Sequence, residues 1–231
     1  MAKRRRKKTS VSRWPVAVLV VAIVAAVLWL ARAQLPAWRL PSLASAPGGV
    51  AAVDHAHVDV ANEGRRARVT GILTADGSAR DAQLGVSAAA AVLLRNVEMY
   101  QWREHCAGAA CNYDTGWGVP VDSHKFREPK GHENPPAPFA SAVFAAPGLK
   151  LGAYGVDANL LLKQHPAEPW PVSDAGLPPN MAASFSEHGG ALYAGGDPAQ
   201  PQVGMLRVSY RIVPLGTATI EGVQRDGSIV P

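Results

Sequence analysis

The sequence predicts a mainly β, or α+β, exported domain behind one N-terminal transmembrane helix, and three observations support this fold class. A basic N-terminus is followed by a long apolar run without charge. Gly and Pro make up 22 and 19 of the 231 residues, which favours short strands and turns over a helical bundle. Apolar stretches of strand length recur through residues 50–231, where they alternate with polar residues or run continuously.

The positive charge of the chain is concentrated at its N-terminus. The formal net charge is +5, yet seven Lys and Arg, without one Asp or Glu, lie between Met1 and Arg13. The remaining residues carry 16 Lys and Arg against 18 Asp and Glu, a net charge of −2. A slightly acidic body is not typical of a nucleic-acid-binding surface, so no nucleic-acid partner is predicted.

The apolar run from Trp14 to Ala31 predicts a transmembrane helix that anchors the protein in a lipid bilayer. Its 18 residues contain no charge, and as a helix they span about 27 Å, close to the roughly 30 Å hydrocarbon core. Trp14 and Trp29 lie near its ends, where indole rings favour the headgroup layer. Because the basic residues precede this run, residues 1–13 are expected to be a cytoplasmic tail and everything after the helix is expected to be exported.

A cleavable signal peptide is the alternative for this segment, because Ala31-Arg32-Ala33 has small residues at the spacing of a cleavage site. Both interpretations export the body. The alanine-rich composition and the excess of Arg over Lys, 16 to 7, indicate a GC-rich bacterium. The predicted location is therefore the bacterial inner membrane, with a periplasmic C-terminal domain.

Residues 32–49 are predicted to be a Pro/Gly linker and residues 50–231 one β-rich domain. A helix is predicted over Asp157–Gln164, which begins at an acidic residue and ends shortly before Pro166. The last two predicted strands are expected to pair antiparallel around Pro214-Leu215-Gly216. The predicted strands are Val50–Val60, Arg65–Leu73, Ala88–Glu104, Val203–Val213 and Thr217–Gln224.

Cys106 and Cys111 predict a structural disulfide across a hairpin. The segment between them, Ala107–Ala110, has the composition of a hairpin tip, and an exported domain folds in an oxidising compartment. Redox-active pairs usually have CxxC spacing, which this pair lacks. Two reduced thiols are the alternative.

The histidines and carboxylates predict neither a catalytic set nor a resident cofactor. His55 and His57 would face the same way on a strand, a geometry that zinc accepts, but the sequence identifies no third ligand. His132-Glu133 begins like a zinc-protease helix motif, but Pro136 stands in place of its second histidine. An exported metal-dependent enzyme that uses these histidines with nearby carboxylates stays open as an alternative function.

A series of segments along residues 62–231 resembles a known family. The matching segments are Asn62-Glu63-Gly64, Thr70-Gly71-Ile72-Leu73, Val97-Glu98-Met99-Tyr100-Gln101-Trp102, Tyr113 with Trp117, Gly131-His132-Glu133-Asn134-Pro135, Val203-Gly204, Leu206-Arg207-Val208-Ser209-Tyr210 and Gly227 to Pro231. Together they resemble the signature of the LUMA family (transmembrane protein forty-three family). Met205 departs from the pattern, because the family usually has an acidic residue there.

This resemblance implies a membrane protein without an established enzymatic activity. The animal protein looks like a multi-pass nuclear-envelope and endoplasmic-reticulum protein that self-associates and binds membrane partners. Its lumenal loop would correspond to a periplasmic domain in a bacterium. Family members continue into three further membrane helices, so a chain that stops at Pro231 is expected to be a fragment or a short single-pass version.

We therefore expect a membrane-anchored, non-enzymatic scaffold or assembly protein with a role in membrane or envelope organisation. Its expected partners are the lipid bilayer, and a second copy of the chain or another membrane protein. A fragment of a multi-pass channel or transport component is a further alternative. The candidate residues, whose role the resemblance leaves undefined, are Glu98, Tyr100, Trp102, Tyr113, Trp117, His132, Asn134, Pro135 and Arg207.

The alternation of side chains around residues 97–102 leaves two interpretations of these residues. On a strand, Val97 and Met99 share one face with Gln101, while Glu98, Tyr100 and Trp102 share the other. The second face is either an amphipathic stripe suited to a partner or the bilayer interface, or part of a cross-strand aromatic cluster with Tyr113 and Trp117. His132 and Asn134-Pro135 are expected to build a buried turn rather than a catalytic site.

Overall fold

A computed structural model describes residues 49–231 of the protein. The predicted tail, the predicted transmembrane helix and nearly all of the predicted linker lie outside these residues. In this range the mainly β prediction is confirmed, and no helix is long and apolar enough to cross a membrane. The α-helices are α1 (Ala158–Gln164) and α2 (Pro179–Ala182). The strands are β1 (Ala51–Val53), β2 (Arg66–Thr74), β3 (Ala79–Asp81), β4 (Val86–Ala88), β5 (Ala90–Ala107), β6 (Ala110–Gly118), β7 (Ala142–Ala145), β8 (Lys150–Leu151), β9 (Tyr154–Val156), β10 (Glu168–Trp170), β11 (Phe185–His188), β12 (Ala191–Ala194), β13 (Leu206–Pro214), β14 (Gly216–Arg225) and β15 (Ser228–Val230).

The first sheet closes on itself. Its strands follow the order β1-β2-β14-β15-β9-β8, and β8 also pairs with β2, so that five strands form a ring with β1 alongside. β1 runs parallel to β2, and β15 runs parallel to β9, while the other pairs are antiparallel. Val69, Leu151, Tyr154, Ile220 and Ile229 are fully buried in the core of this ring.

The second sheet carries the longest strand. Its order is β11-β12-β13-β5-β6, with β10 also paired to β13 and β7 also paired to β5. One face packs on a second core that includes Leu93, Val97, Met99, Leu192 and Val208. The other face carries Glu98, Tyr100 and Trp102, which are partly buried.

The predicted closing pair of strands is wrong in its pairing, although both strands exist. β13 pairs with β5, β10 and β12 in the second sheet, whereas β14 pairs with β2 and β15 in the first. The chain leaves one sheet and enters the other at Leu215. Pro214 has no N–H to continue a ladder, and Gly216 adopts a φ of 143°, which lets the backbone turn this corner.

The apolar start of β5 is continuous because this part of the strand lies between the two cores. Ala90 and Leu93 pack in the second-sheet core, while Ala91 and Val92 pack in the first-sheet core. From Leu94 onward the burial alternates, as expected for a strand that is covered on one face. The predicted strand began at Ala88, but Ala88 ends β4, and β5 continues three residues past Glu104 into the hairpin.

The predicted strand Val50–Val60 is mostly wrong, since β1 ends at Val53. The Asp54 carboxylate accepts the N–H of Ala56, and the Asp59 carboxylate accepts the N–H of Ala61 and begins a 3₁₀ helix. Short acidic side chains that bind nearby backbone in this way compete with a strand ladder. The helix prediction is confirmed: the Asp157 carboxylate caps α1 by accepting the N–H of Leu160.

A buried ion pair attaches the small β3–β4 sheet to the second sheet. The Asp81 carboxylate accepts hydrogen bonds from the Arg95 guanidinium at 2.7 Å and from the Tyr210 hydroxyl at 2.7 Å, and all three residues are at most 5% exposed. Arg95 also donates to the carbonyl of Ala140 and lies over the Phe144 ring. Burial, reinforced by the hydrogen bond to Asp81, raises the pKa of Tyr210 far above its usual value. The charges are therefore compensated inside the fold, as buried charges must be.

Candidate functional site

The candidate residues on β5, β6 and β13 lie on one face of the second sheet, opposite the core. In the strand register Tyr100 is opposite Trp117, and Glu98 is opposite Arg207. Val97, Met99 and Gln101 share the inward face, because each is at most 1% exposed. Glu98, Tyr100 and Trp102 are half-buried on the outer face.

We give the name aromatic face to the first half of this outer face. It consists of five side chains from four neighbouring strands: Glu98, Tyr100, Trp117, Tyr193 and Arg207. The Trp117 ring lies edge-on to Tyr100 at 5.7 Å and to Tyr193 at 5.9 Å between centroids. The Arg207 guanidinium lies 4.9 Å from the centre of the Trp117 ring and donates to the Glu98 carboxylate at 2.8 Å. The result is a connected array of ring contacts and one charge pair.

The second half of the face lies toward the hairpin tip and is covered by the loop between β6 and β7, residues 119–141. The His132 imidazole stacks on Tyr113 with ring centroids 3.8 Å apart, and it meets Trp102 edge-on at 4.8 Å. The Nδ1 atom of His132 lies 2.9 Å from the carbonyl oxygen of Glu128. The His132 side chain therefore contacts the rings of Tyr113 and Trp102, and it also contacts a backbone carbonyl of its own loop.

Asn134 continues the hydrogen bonding of β5 beyond Leu206, the first residue of β13. Its amide oxygen accepts the N–H of Trp102 at 2.8 Å, and its amide nitrogen donates to the carbonyl of Trp102 at 3.0 Å. The Asn134 side chain thus mimics a strand neighbour at an edge that has lost its partner. The backbone N–H of Asn134 donates to Ser123, which holds the loop in place.

Two further motif positions, Gly204 and Met205, form backbone hydrogen bonds with Tyr100. Gly204 donates its N–H to the carbonyl of Tyr100, and a Cβ at Gly204 would lie 2.9 Å from Pro135. Met205, which stands where the family usually has a carboxylate, is 1% exposed and accepts the N–H of Tyr100 through its backbone oxygen. The expected buried turn is half-buried instead: His132 and Asn134 are partly covered, and Pro135 is exposed.

Glu104 accepts two hydrogen bonds near the tip of the hairpin. Its carboxylate accepts the Tyr113 hydroxyl at 2.7 Å and the N–H of Arg127 at 2.6 Å. These hydrogen bonds, that of Tyr113 first, lower the pKa of Glu104, while burial and the same hydrogen bond raise the pKa of Tyr113. On the aromatic face, burial acts to lower the pKa of Arg207, but hydrogen bonds to Glu98 and Tyr193 raise it above the usual value.

The disulfide prediction is confirmed at the hairpin tip. Cys106 and Cys111 are directly opposite in the register of β5 and β6 and are joined by a 2.07 Å S–S bond. The only group of three potential metal-ligand side chains that converge within residues 49–231 is Glu104 with these two cysteines, which are bonded to each other.

Tyr100 and Trp102 contact other rings of the domain and also remain partly exposed on the outer face. Trp117 packs against Tyr100. The His132 ring contacts both Tyr113 and Trp102, so this loop residue completes the aromatic cluster. Sequence reasoning missed Tyr193, which lies in the four-residue strand β12 and gives no local signal. It also missed Glu104, which the two-residue alternation from Glu98 could have identified.

The fold and this site define a two-sheet β protein whose sequence motifs converge on one sheet face. The chain belongs to the family described as Transmembrane protein 43, whose profile matches residues 99–231. Membership in this family supports association of the protein with a membrane.

Individual relatives agree with this assignment. Human Transmembrane protein 43 is 28% identical over 215 residues, which cover 82% of this chain and 53% of the human protein. The rat protein of the same name is 28% identical over 194 residues, which cover 74% of this chain and 48% of the rat protein. The chain thus spans about half the length of the curated relatives it matches. No solved structure matches the chain.

Proposed function

We propose that the protein is a membrane-anchored, non-enzymatic assembly protein whose exported domain binds a partner through the aromatic face. The observation that carries the proposal is the convergence of the motif residues on one sheet face, where they contact one another. Such an arrangement presents rings and an Arg–Glu pair as a preorganised surface. Aromatic residues and Arg are enriched at protein interfaces and dominate their binding energy.

The proposed topology takes residues 14–31 as the anchor, residues 1–13 as a cytoplasmic tail and the β-rich domain as periplasmic, in a bacterial inner membrane. The clustered N-terminal cations support this orientation, and the Cys106–Cys111 disulfide supports an oxidising compartment for the domain. The proposed partner is a second copy of the chain or another membrane protein, and the role is organisation of the membrane or envelope.

The aromatic face is suited to binding because its side chains are held in place before a partner arrives. Trp117 is contacted by Tyr100, Tyr193 and Arg207, and the Tyr100 hydroxyl lies 3.0 Å from that of Thr115. Side chains that are already ordered lose little conformational entropy on association.

Photo-crosslinking in intact cells tests this proposal. A photoreactive phenylalanine analogue replaces Tyr193 on the aromatic face, and a second strain carries it at Val60, which is 83% exposed and lies in the 3₁₀ helix between β1 and β2. We expect a defined adduct from position 193 only, at the mass of a dimer or of a complex with another membrane protein. Equal adducts from both positions, or none from position 193, would contradict the assigned surface.

A second comparison separates loss of binding from loss of folding. Arg207→Lys retains the charge but not the planar guanidinium that lies on Trp117, and Trp117→Phe retains a smaller ring. Both variants should fold, as judged by thermal unfolding, while the adduct from position 193 weakens severalfold. Unchanged crosslinking in both folded variants would remove the aromatic face from the proposal.

A further inference from the structure

The segment after β1 brings one carboxylate between two imidazoles. The Asp54 Oδ1 atom lies 3.7 Å from Nδ1 of His55, and its Oδ2 atom lies 3.6 Å from Nδ1 of His57. The residue immediately before the two histidines thus places a carboxylate beside both imidazoles. This arrangement becomes visible only because the segment turns instead of continuing as a strand.

Hydrogen bonds from elsewhere in the fold hold the backbone of this segment at both histidines. The carbonyl oxygen of His55 accepts the N–H of Ala153 at 2.8 Å. The carbonyl oxygen of His57 accepts the Tyr154 hydroxyl at 2.9 Å. Since the positions of the ligand-bearing residues are set by the first sheet, assembling the three side chains requires mainly side-chain rotation.

Two glycines provide the space in which the segment lies. A Cβ at Gly71 of β2 would stand 3.1 Å from the His55 Cβ atom, and a Cβ at Gly152 would stand 2.2 Å from the His55 carbonyl oxygen. Gly71 belongs to the Thr70–Leu73 motif segment, so the close approach of His55 gives a physical reason for a glycine there. The segment therefore packs closely against Gly71 and Gly152.

The chemistry of this donor set selects a class of cation. Two imidazoles and one carboxylate suit Zn²⁺ and similar divalent transition metals better than Mg²⁺ or Ca²⁺, which prefer all-oxygen sites. Ligand atoms around tetrahedral zinc, bound at about 2.0–2.1 Å, stand about 3.3 Å apart. Each imidazole is already 3.6–3.7 Å from the carboxylate, close to that separation.

To bind one ion, the three exposed side chains must bring their ligand atoms closer together. The three ligand atoms do not yet all lie within 4.8 Å of one another. The His57 side chain is 85% exposed and that of His55 is 55% exposed, so rotation of His57 toward its partner meets little packing. We infer that Asp54, His55 and His57 form a binding site for a divalent cation of the zinc class, with water as the fourth ligand. This site lies on the first sheet and is separate from the aromatic face.

Equilibrium competition with a chromogenic zinc indicator tests this site. The full 231-residue chain is purified in mild detergent without a polyhistidine tag, and Zn²⁺ alone is the probe. We expect one equivalent to bind the wild type and the affinity to fall at least tenfold in His55→Ala/His57→Ala and in Asp54→Asn. His105→Ala is the matched control, since His105 is an exposed histidine 3.3 Å from the Asp114 carboxylate.

Histidine-selective ¹⁵N NMR of the same samples locates the ion. On addition of Zn²⁺ the imidazole resonances of His55 and His57 should shift together, while those of the other five histidines stay in place. The inference is overturned if the double variant binds as tightly as the wild type, if His105→Ala weakens binding equally, or if other histidines shift instead. Because all substitutions are at exposed positions, thermal unfolding should be unchanged, and crosslinking from position 193 tests the proposed function independently.

Discussion

Asn134 shows how one side chain can complete a sheet edge. Beyond the first residue of β13, the N–H and the carbonyl of Trp102 would lack a strand partner on that side, and the Asn134 amide supplies both a donor and an acceptor. An amide side chain carries its donor and its acceptor on neighbouring atoms, so it can pair with both groups of one backbone residue. The two hydrogen bonds to Trp102 therefore give the asparagine of the motif a structural role.

Asn134→Ala should destabilise the domain by about 1–3 kcal/mol, because it leaves two partly buried backbone groups unpaired. Asn134→Asp keeps the acceptor for the Trp102 N–H but sets a carboxylate oxygen against the Trp102 carbonyl oxygen, so it should also destabilise the domain. Urea unfolding followed by tryptophan fluorescence measures both. Equal stability of the alanine variant and the wild type would show that the two hydrogen bonds contribute nothing net.

Glu104 gives the hairpin end a defined pH dependence. Its pKa in the folded protein lies below the usual 4.5, because it accepts the Tyr113 hydroxyl and the Arg127 N–H. A lowered pKa means that the stabilisation is complete above about pH 4.5 and is lost as the pH falls through the lower, folded value. Glu104→Gln keeps an acceptor oxygen but removes the charge.

The melting temperature of Glu104→Gln should therefore be lower than that of the wild type at pH 7, and this difference should shrink toward pH 3. Glu128→Gln, in the loop that covers the hairpin end and with an exposed side chain, is the control and should show a smaller difference at pH 7. Melting curves at several pH values test the prediction. A difference that stays constant down to pH 3 would exclude charge as its origin.

At the scale of elements, the loop between β6 and β7 and the segment before β13 hold each other in position. Gly204 adopts a φ of 97°, which disfavours residues with a Cβ, and it lies against Pro135. Two parts of the family signature, far apart in sequence, therefore meet in one close contact.

Gly204→Ala should destabilise the domain by about 1–3 kcal/mol, through the positive φ and the clash with Pro135. Gly64→Ala is the matched control, because Gly64 also has a positive φ, 73°, but a Cβ at this position would meet no neighbouring part of the fold within 4 Å. The difference between the two variants in chemical denaturation reports the contact with Pro135. If Gly64→Ala costs as much as Gly204→Ala, the contact is energetically unimportant.

At the scale of the whole described domain, two cores share two strands. Ala90 and Leu93 of β5 contribute to the second-sheet core, and Ala91 and Val92 to the first-sheet core. β13 likewise places Val208 in one core and Val213 in the other. Because neither core can lose these strands without exposing the other, residues 49–231 should unfold as one cooperative unit.

Leu192→Ala removes a side chain from the second-sheet core and Ile220→Ala from the first, and both residues are fully buried. Each should cost about 2–5 kcal/mol. Differential scanning calorimetry should show a single transition at a lower temperature in both variants. A curve that splits into two transitions in either variant would show that the two sheets are independent folding units.

Much of the local structure could be predicted from the sequence, because its signals are local. The alternation in β2 and β5, the Asp157 cap of α1 and the Cys106–Cys111 spacing each depend on residues close together in the chain. The inward and outward faces of residues 97–102 also follow directly from the two-residue period of a strand.

The partners of these elements were decided only by the tertiary structure. β13 and β14 are adjacent in sequence and were expected to pair, but burial of two separate cores sends them to different sheets. The same long-range packing brings Tyr193 beside Trp117 and Asn134 beside Trp102, and no local pattern encodes such contacts. The sequence by itself therefore determined the class of fold, the disulfide and the family, whereas tertiary packing, which minimises exposed apolar surface over the whole chain, decided which residues form the aromatic face.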